Sequence, residues 1–389
     1  MREVVIVSYA RSAVGKAPRG KLKYTRPESL AAQVLKGLMD RTPGVAYEDV
    51  EDIVMGNAFP EAEQGLNIGR TASALAGFPD STAGQTVNRF CSSGVQTIAT
   101  ANNAILAGNI DIAIAGGVES MSTIPGGGNM NFPEIALMGS KPGHYMSMGI
   151  TAENVASKYN VSREKQDALA LRSHLRAQAA QENGLFDDEI IDIEAIRPLE
   201  DGSGQETFIF NKDEGIRYGQ TKEALAKLRP VFKRDGSVTA GNSSQTSDGA
   251  GFVMLMTKEK ALSLGLKPLA KVKAFSAVGV DPAIMGVGPM YAIPKALKQA
   301  GMTLKDIELI ELNEAFASQA IACIETLGIN EEITNVNGGA IALGHPLGGS
   351  GAFLTSKLFS EMKRRQLSTG LVSMCIGGGM GAAIIYEML

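Results

Sequence analysis

Short apolar runs alternate with amphipathic stretches along most of the chain. Residues 4–7 and 53–55 are continuous apolar runs of strand length, and residues 30–38 carry apolar side chains at helical spacing. Residues 112–115 predict another strand, which Gly116-Gly117 is expected to stop. Residues 163–182 predict a long polar helix, capped by Ser162 and ended near Gly184, with His174 on its charged, solvent-facing surface. A later series starts at Val272, with a helix near 293–300 and strands near 308–312, 332–336 and 371–375. Alternation of this kind predicts a layered α/β architecture.

The later series echoes the first. Asp52-Ile53-Val54-Met55-Gly56-Asn57-Ala58-Phe59 is similar to Glu308-Leu309-Ile310-Glu311-Leu312-Asn313-Glu314-Ala315-Phe316. Val87-Asn88 followed by Cys91-Ser92-Ser93-Gly94 is similar to Val336-Asn337 followed by Gly348-Gly349-Ser350-Gly351, and residues 112–117 are similar to 372–378. The order is kept, which predicts an internal duplication: one half from 1–118 with 246–265, the other from 268–389. Residues 119–245 have no counterpart. They are rich in Gly, Met and Pro at first and in charges later, and read as an inserted loop subdomain facing a ligand.

A chain of 389 residues exceeds a single small core, in keeping with two or three packed units. The net charge of −4 argues against nucleic acid or a membrane surface as the partner. The three cysteines, Cys91, Cys323 and Cys375, have neither metal-ligand spacing nor a disulfide framework, which fits a reducing compartment. The first residues, MREVVIVSYARSA, read as a first strand and not as a signal peptide. The last, IIYEML, match no address or lipidation signal, so a cytoplasmic location is expected.

Three windows without charge run from Arg89 to Asp111, from Glu332 to Lys357 and from Arg365 to Glu387. Gln96, Asn102, Asn103 and several glycines interrupt them, so they read as buried segments and not as membrane spans. Cys91, His345 and Cys375 fall one to each window. Cys91 follows the strand-like Thr86-Val87-Asn88 and opens a helix over 92–106. A thiol at a helix N-terminus meets the macrodipole and free N–H groups; both favour thiolate and offer a site for an oxyanion. The plain alternative is a small core hydrophobe. His345 lies in a Gly-rich run before Pro346, a rigid setting for a proton acceptor, or else a core His bonded to a carbonyl. His144 lies in the weakly patterned insertion and stays undecided.

Cys375 ends a strand and runs into Gly377-Gly378-Gly379. Gly377, Gly379 and Ala382 mimic a dinucleotide fingerprint, but the acidic residue needed some 20 positions on falls beyond Leu389, so that reading is rejected. Asn313 ends a strand, where it orients a water or ligand or caps the next helix; Cys323 reads as core. There is no G-x-x-x-x-G-K-S/T, no H-E-x-x-H and no nucleophile-elbow serine.

Taken together, four of these segments resemble the thiolase family over essentially the whole chain. Asn88-Arg89-Phe90-Cys91-Ser92-Ser93-Gly94 looks like its acyl-enzyme cysteine segment, and Asn313-Glu314-Ala315-Phe316 like its Asn-Glu-Ala-Phe motif. Residues 337–351 look like its Gly-His-Pro motif and 375–381 like its second-cysteine loop. The resemblance implies a duplicated five-layered α-β-α-β-α fold and cleavage of 3-ketoacyl-CoA. Cys91 would take the acyl group, His345 would activate it, and Cys375 would exchange the proton at the acetyl-CoA carbon. One oxyanion hole would use His345 and a water held by Asn313, the other the N–H groups of Cys91 and Gly377. Splitting the reaction into acyl transfer and deacylation needs such a nucleophile and a separate acid/base.

The resemblance further implies coenzyme A as co-substrate, no tightly bound cofactor and no metal. Ser244 matches a pantetheine contact, Arg217 a residue beside the adenine, and Met148, Met285 and Phe316 the lining of the acyl and pantetheine channel; surface charge and core packing are their plain readings. It also implies a homodimer or a tetramer built as a dimer of dimers, and association with other β-oxidation enzymes. Residues 145–149 and 242–249 look more like the degradative 3-ketoacyl-CoA thiolases; short-chain acetoacetyl-CoA thiolases often carry His where Ser147 stands. Gly349 departs from the more usual Ala or Cys. The alternatives are a biosynthetic acetoacetyl-CoA thiolase, a decarboxylating ketoacyl synthase, which has His or Asn where Cys375 stands, and an inert CoA-binding protein.

Overall fold

The computed structural model describes residues 2–129 and 132–389. In the first half, β1 (Val4–Ser12), β2 (Asp52–Gly56), β3 (Ala83–Val87), β4 (Ile112–Ser120) and β5 (Ser247–Thr257) lie side by side in the order β3-β2-β4-β5-β1. The first two pairings are parallel and the last two antiparallel. In the second half, β6 (Ala270–Gly279), β7 (Leu309–Leu312), β8 (Thr369–Ile376) and β9 (Met380–Met388) lie in the order β7-β8-β9-β6. A parallel bridge from Ile310 to Thr334 adds a fifth position outside β7, so order and direction repeat across the two halves. An antiparallel pairing at Ile6 and Ala270 joins them.

Helices α1 (Pro27–Asp40) and α2 (Ile68–Ala76) cover the outer face of the first half, with Leu35 and Leu38 packed near Ile53 and Phe252. Helix α3 (Ser93–Leu106) is buried along most of its length. The insertion supplies α4 (Met148–Lys158) and α5 (Arg163–Glu182). Helices α6 (Gly288–Ala300) and α7 (Ala317–Leu327) cover the outer face of the second half, and α8 (Ser350–Arg365) joins α3 between the sheets. The result is helix, sheet, helix, sheet, helix. Strands β4 and β5 are buried at every position, as expected where both faces are covered. In β1, Val4 and Ile6 face the middle layer while Val5 faces outward, the period of two that a strand imposes.

Three sequence expectations change. Strand β4 runs through Gly116-Gly117 to Ser120. The glycines are places of close approach: a Cβ on Gly117 would stand 2.2 Å from Gly348 O, and one on Gly116 2.0 Å from Gly251 O. Residues 332–336 form no strand beyond the single bridge. Asn335 takes φ 48°, which breaks an extended run, and its side-chain amide pairs with both N and O of Leu312 in place of backbone. Finally, His174 is buried, not solvent-facing. The buried face of α5 combines Gln166, Asp167, Leu169 and His174 with the small residues Ala170, Ser173, Ala177 and Ala180, a face that a charge-dominated pattern conceals.

Arg11 holds the insertion to β1. It is fully buried, bonds Glu189 at 2.7 Å and Asp213 at 2.9 Å, and lies over the Phe353 ring. A buried charge left without these partners costs several kcal/mol, so the return path of the insertion is fixed. Among the described residues no helix is long and apolar enough to cross a membrane.

Candidate active site

After β3 the chain turns once through Phe90–Ser92 before α3 begins. Phe90 sits at φ 44°, a left-handed conformation that costs on the order of 1–3 kcal/mol for a non-glycine. Its neighbours hold it there. Asn88 Oδ1 accepts from Phe90 N at 2.8 Å, and Ser93 Oγ accepts from Arg89 N at 2.9 Å while donating to Phe90 O at 2.7 Å. The turn sets Cys91 half-buried at the head of α3. Two backbone N–H groups face its sulfur, its own and that of Gly377.

Burial outweighs those donors. With the nearby Glu119 acting in the same direction, the Cys91 thiol is pushed up to about 11, so the resting protein holds a thiol and not the thiolate expected at a helix N-terminus. Glu119 is itself fully buried. It accepts hydrogen bonds from Ala58 N, Gly348 N and Gln64 Nε2, each at 2.8 Å, which fixes the loops on either side of the turn. A surface hollow of about 310 Å³ lined by Phe59, Asn88, Phe90 and Gly128 adjoins the turn but is not lined by Cys91, His345 or Cys375.

His345 follows the short helix Ala340–Leu343. Ser350 Oγ donates to Pro346 O at 2.9 Å and stands 2.6 Å from His345 Nδ1, so it accepts from Nδ1–H. That leaves Nε2 as the unprotonated nitrogen, 3.2 Å from Asn313 Nδ2, which donates to it. Burial lowers the imidazole to about 4, and the ring is neutral at physiological pH. Asn313 does not cap α7, which starts at Ala317 with Phe316 in the cap position; its side chain serves the histidine.

Cys375 is fully buried near the end of β8, before a turn in which Gly378 and Gly379 take φ 77° and 85°. Burial first, then the fields of Cys91 and Cys323, push its thiol well above the ordinary range. Gly377, two residues beyond Cys375, turns its N–H to the Cys91 sulfur, so the two cysteine segments meet from opposite halves. Met285 and Phe316 pack with Cys375, Ala152, Val238 and Ala315, and Met148 lies against the same cluster. The three expected channel residues thus meet at the second cysteine. Cys323 is core, its Sγ 3.5 Å from Gly286 O.

Two family models together match nearly the whole chain. The thiolase N-terminal domain matches residues 4–259 and the thiolase C-terminal domain residues 266–388. The chain belongs to the thiolase family. It is 55% identical to the 3-ketoacyl-CoA thiolase of Bacillus subtilis, with both chains covered in full. It is 46% identical to the acetyl-CoA acetyltransferase of Chromobacterium violaceum over 99% of each chain. The crystal structure of the Bacillus anthracis acetyl-CoA acetyltransferase superposes with a TM-score of 0.91 at 42% identity, covering 100% of this chain and 99% of that one.

Within the thiolase fold, the two residues expected at coenzyme A form no hydrogen bond to Cys91, His345 or Cys375 among the described residues. Arg217 is half-buried, and its backbone N–H donates to His174 Nδ1 at 3.2 Å. Ser244 is half-buried, and its N–H donates to Ala315 O at 3.0 Å, beside Phe316. Sequence reasoning passed over Ser350, Glu119 and Phe232. Ser350 lies five residues after His345 in the same glycine-rich run, a signal within reach. Glu119 is the lone charged residue within the buried strand β4, also a visible signal. Phe232, edge-on to Phe316 at 6.1 Å, lies in a charged stretch that gives no hint of it.

Proposed function

We infer that the chain is a 3-ketoacyl-CoA thiolase of fatty-acid β-oxidation, cleaving 3-ketoacyl-CoA with CoA to a shortened acyl-CoA and acetyl-CoA. The observation that carries this reading is the Cys91 sulfur faced by the N–H groups of Cys91 and Gly377, with the Cys375 thiol in the same site. Cys91 attacks the 3-keto carbon while its proton passes to His345 Nε2. The tetrahedral oxyanion is met by the two N–H groups. The bond between C2 and C3 then breaks, and its electron pair becomes the acetyl-CoA enolate. Asn313 and His345 stabilise that oxygen, and Cys375 donates the proton to C2.

A buried thiol with a raised proton affinity stays protonated until it is needed, and its conjugate base is strong. The Cys375 thiolate then takes the proton from incoming CoA. The CoA sulfur attacks the acyl-enzyme, and Cys91 leaves and recovers its proton from His345. Run backwards, the same steps condense two acyl-CoA molecules, and the acetyl-CoA acetyltransferase relatives make that direction the second reading. Ser244 and Arg217 would hold pantetheine and nucleotide, and Met148, Met285 and Phe316 would line the acyl channel.

The repeated strand order supports dividing the chain at 118, 246–265 and 268, with 119–245 as a loop subdomain. A homodimer or dimer of dimers in the cytoplasm is proposed, associating with other β-oxidation enzymes; β3 ends the sheet with an edge that pairing would cover. The test of the mechanism is Cys91→Ala. It should abolish cleavage and condensation and prevent trapping of an acetyl-enzyme by radiolabelled acetyl-CoA. Full turnover by this variant would contradict the assignment.

A further inference from the structure

The mechanism leaves one half-buried amide unused. Gln245 Nε2 lies against three carbonyl oxygens: Gly215 O at 2.8 Å, Ile341 O at 3.1 Å and Ala342 O at 3.2 Å. Three carbonyls can only meet N–H, which fixes the orientation of the amide; Oε1 is buried and has no partner among the described residues. Gly215 opens the segment Gly215-Ile216-Arg217. Ile341 and Ala342 lie in the short helix that delivers His345. The Gln245 backbone completes the link, because its O accepts from His345 N at 3.2 Å. Ser247 Oγ accepts from the same N–H at 3.0 Å and donates to Gln245 O at 2.8 Å.

The contact leaves little slack. A Cβ on Gly215 would stand 2.6 Å from Ala342 O, so the two segments touch backbone to backbone. On its far side the Arg217 segment is held by the buried His174, which accepts the Arg217 N–H. One amide therefore spans the Arg217 segment, the Ser244 segment and the backbone of the catalytic imidazole.

We propose that Gln245 is a positioning residue that couples binding of the nucleotide end of CoA at Arg217 to the placement of His345. This rests on the reading of Arg217 as a CoA contact. Binding energy from a remote, unreacting part of a substrate raises turnover only through a physical link to the reacting centre, and truncated substrates then lose kcat. Gln245 is that link. Its removal lowers kcat for substrates that use the nucleotide and leaves those that lack it nearly unchanged.

The experiment compares thiolysis of acetoacetyl-CoA by CoA with thiolysis of acetoacetyl-N-acetylcysteamine by N-acetylcysteamine. Gln245→Met, similar in volume but without donors, should lower kcat about tenfold on the CoA pair, with KM within about twofold, and change kcat on the truncated pair less than about twofold. Retained turnover of the truncated pair also shows that the variant is folded; if it is not, Gln245→Asn carries the same comparison. Equal losses on both pairs, no loss with CoA, or a raised KM with unchanged kcat would overturn the proposal. Arg217→Ala separates the underlying reading: it should raise KM on the CoA pair alone. If it leaves the CoA pair untouched, the Arg217 reading fails and the proposed coupling fails with it. If Arg217→Ala behaves as expected but Gln245→Met treats both pairs alike, the coupling alone fails.

Discussion

The state of the Cys91 proton is open to direct measurement. The thiol lies at about 11 and the His345 imidazole at about 4. Moving the proton from sulfur to nitrogen across that gap costs roughly 9.5 kcal/mol at 1.36 kcal/mol per pH unit. A contact ion pair at an effective dielectric near 20 returns about 4 kcal/mol. The remaining ~5 kcal/mol keeps the ion pair below about one molecule in a thousand. Cys91 should therefore behave toward iodoacetamide as an ordinary buried thiol. Its alkylation rate should rise about tenfold per pH unit, close to a hundredfold from pH 7 to pH 9. The assay follows Cys91 carboxamidomethylation by peptide mass spectrometry, which separates it from Cys323 and Cys375, with Cys91→Ala as the blank. A stored thiolate–imidazolium pair would instead give a rate flat from about pH 5 to pH 8. That flat profile would refute the reasoning and restore the thiolate expected of a helix N-terminus. If the slope is found, deprotonation belongs to the attack itself, where the N–H groups of Cys91 and Gly377 first meet a full negative charge.

Other outcomes follow from the same geometry. Cys375→Ser should still form the acyl-enzyme, trapped and weighed intact, but lose turnover, because an alcohol is too weak an acid to replace the thiol. Asn313→Ala removes the donor to His345 Nε2 and should lower kcat on the order of 10²-fold, with the rate of Cys91 alkylation little changed. His174 lies at about 4 when folded, below the ordinary 6.5, so the unfolded chain binds the extra proton between those values and stability falls as pH drops through that window. By urea unfolding, wild type should lose roughly 2 kcal/mol more than His174→Gln between pH 6.5 and pH 4.5; equal losses would count against the buried, neutral ring.

Much of this was legible because the chain spells its architecture twice. The repeated segments around 52–59 and 308–316 became β2 and β7, and the three charge-free windows became the buried walls of the site. Illegible features depended on what lay across from a residue. Around His174 the α5 face carries the small residues Ala170, Ser173 and Ala177, so its burial shows only once Gly338 packs against Ala177 and Ser173. The upward push on the Cys91 thiol comes from burial and from Glu119, neither of which is read from the helix N-terminus that motivated the expectation. Asn335 replaced a strand with its own side chain, which no apolar pattern records.

The duplication also explains why the site forms where it does. Glycines at the heads of α3 and α8 interlock, a Cβ on Gly94 falling 2.7 Å from Ala352 N and one on Gly351 2.2 Å from Val95 N. Each half thereby pushes the loop before its central helix against a strand end of the other half. In one direction the Gly348 loop meets Gly117 within β4, where any side chain would collide. In the other direction the Cys91 turn meets the end of β8, and the Gly377 N–H reaches the sulfur. The scaffold offers two equivalent junctions. One is sealed by glycine against backbone, and the other keeps a thiol on each side. Gly117→Ala is the variant that separates the two roles: it should destabilise the fold by about 1–3 kcal/mol through overpacking. The alkylation slope of Cys91 should stay as it was, because the sealed junction supports the reactive one without taking part in its chemistry.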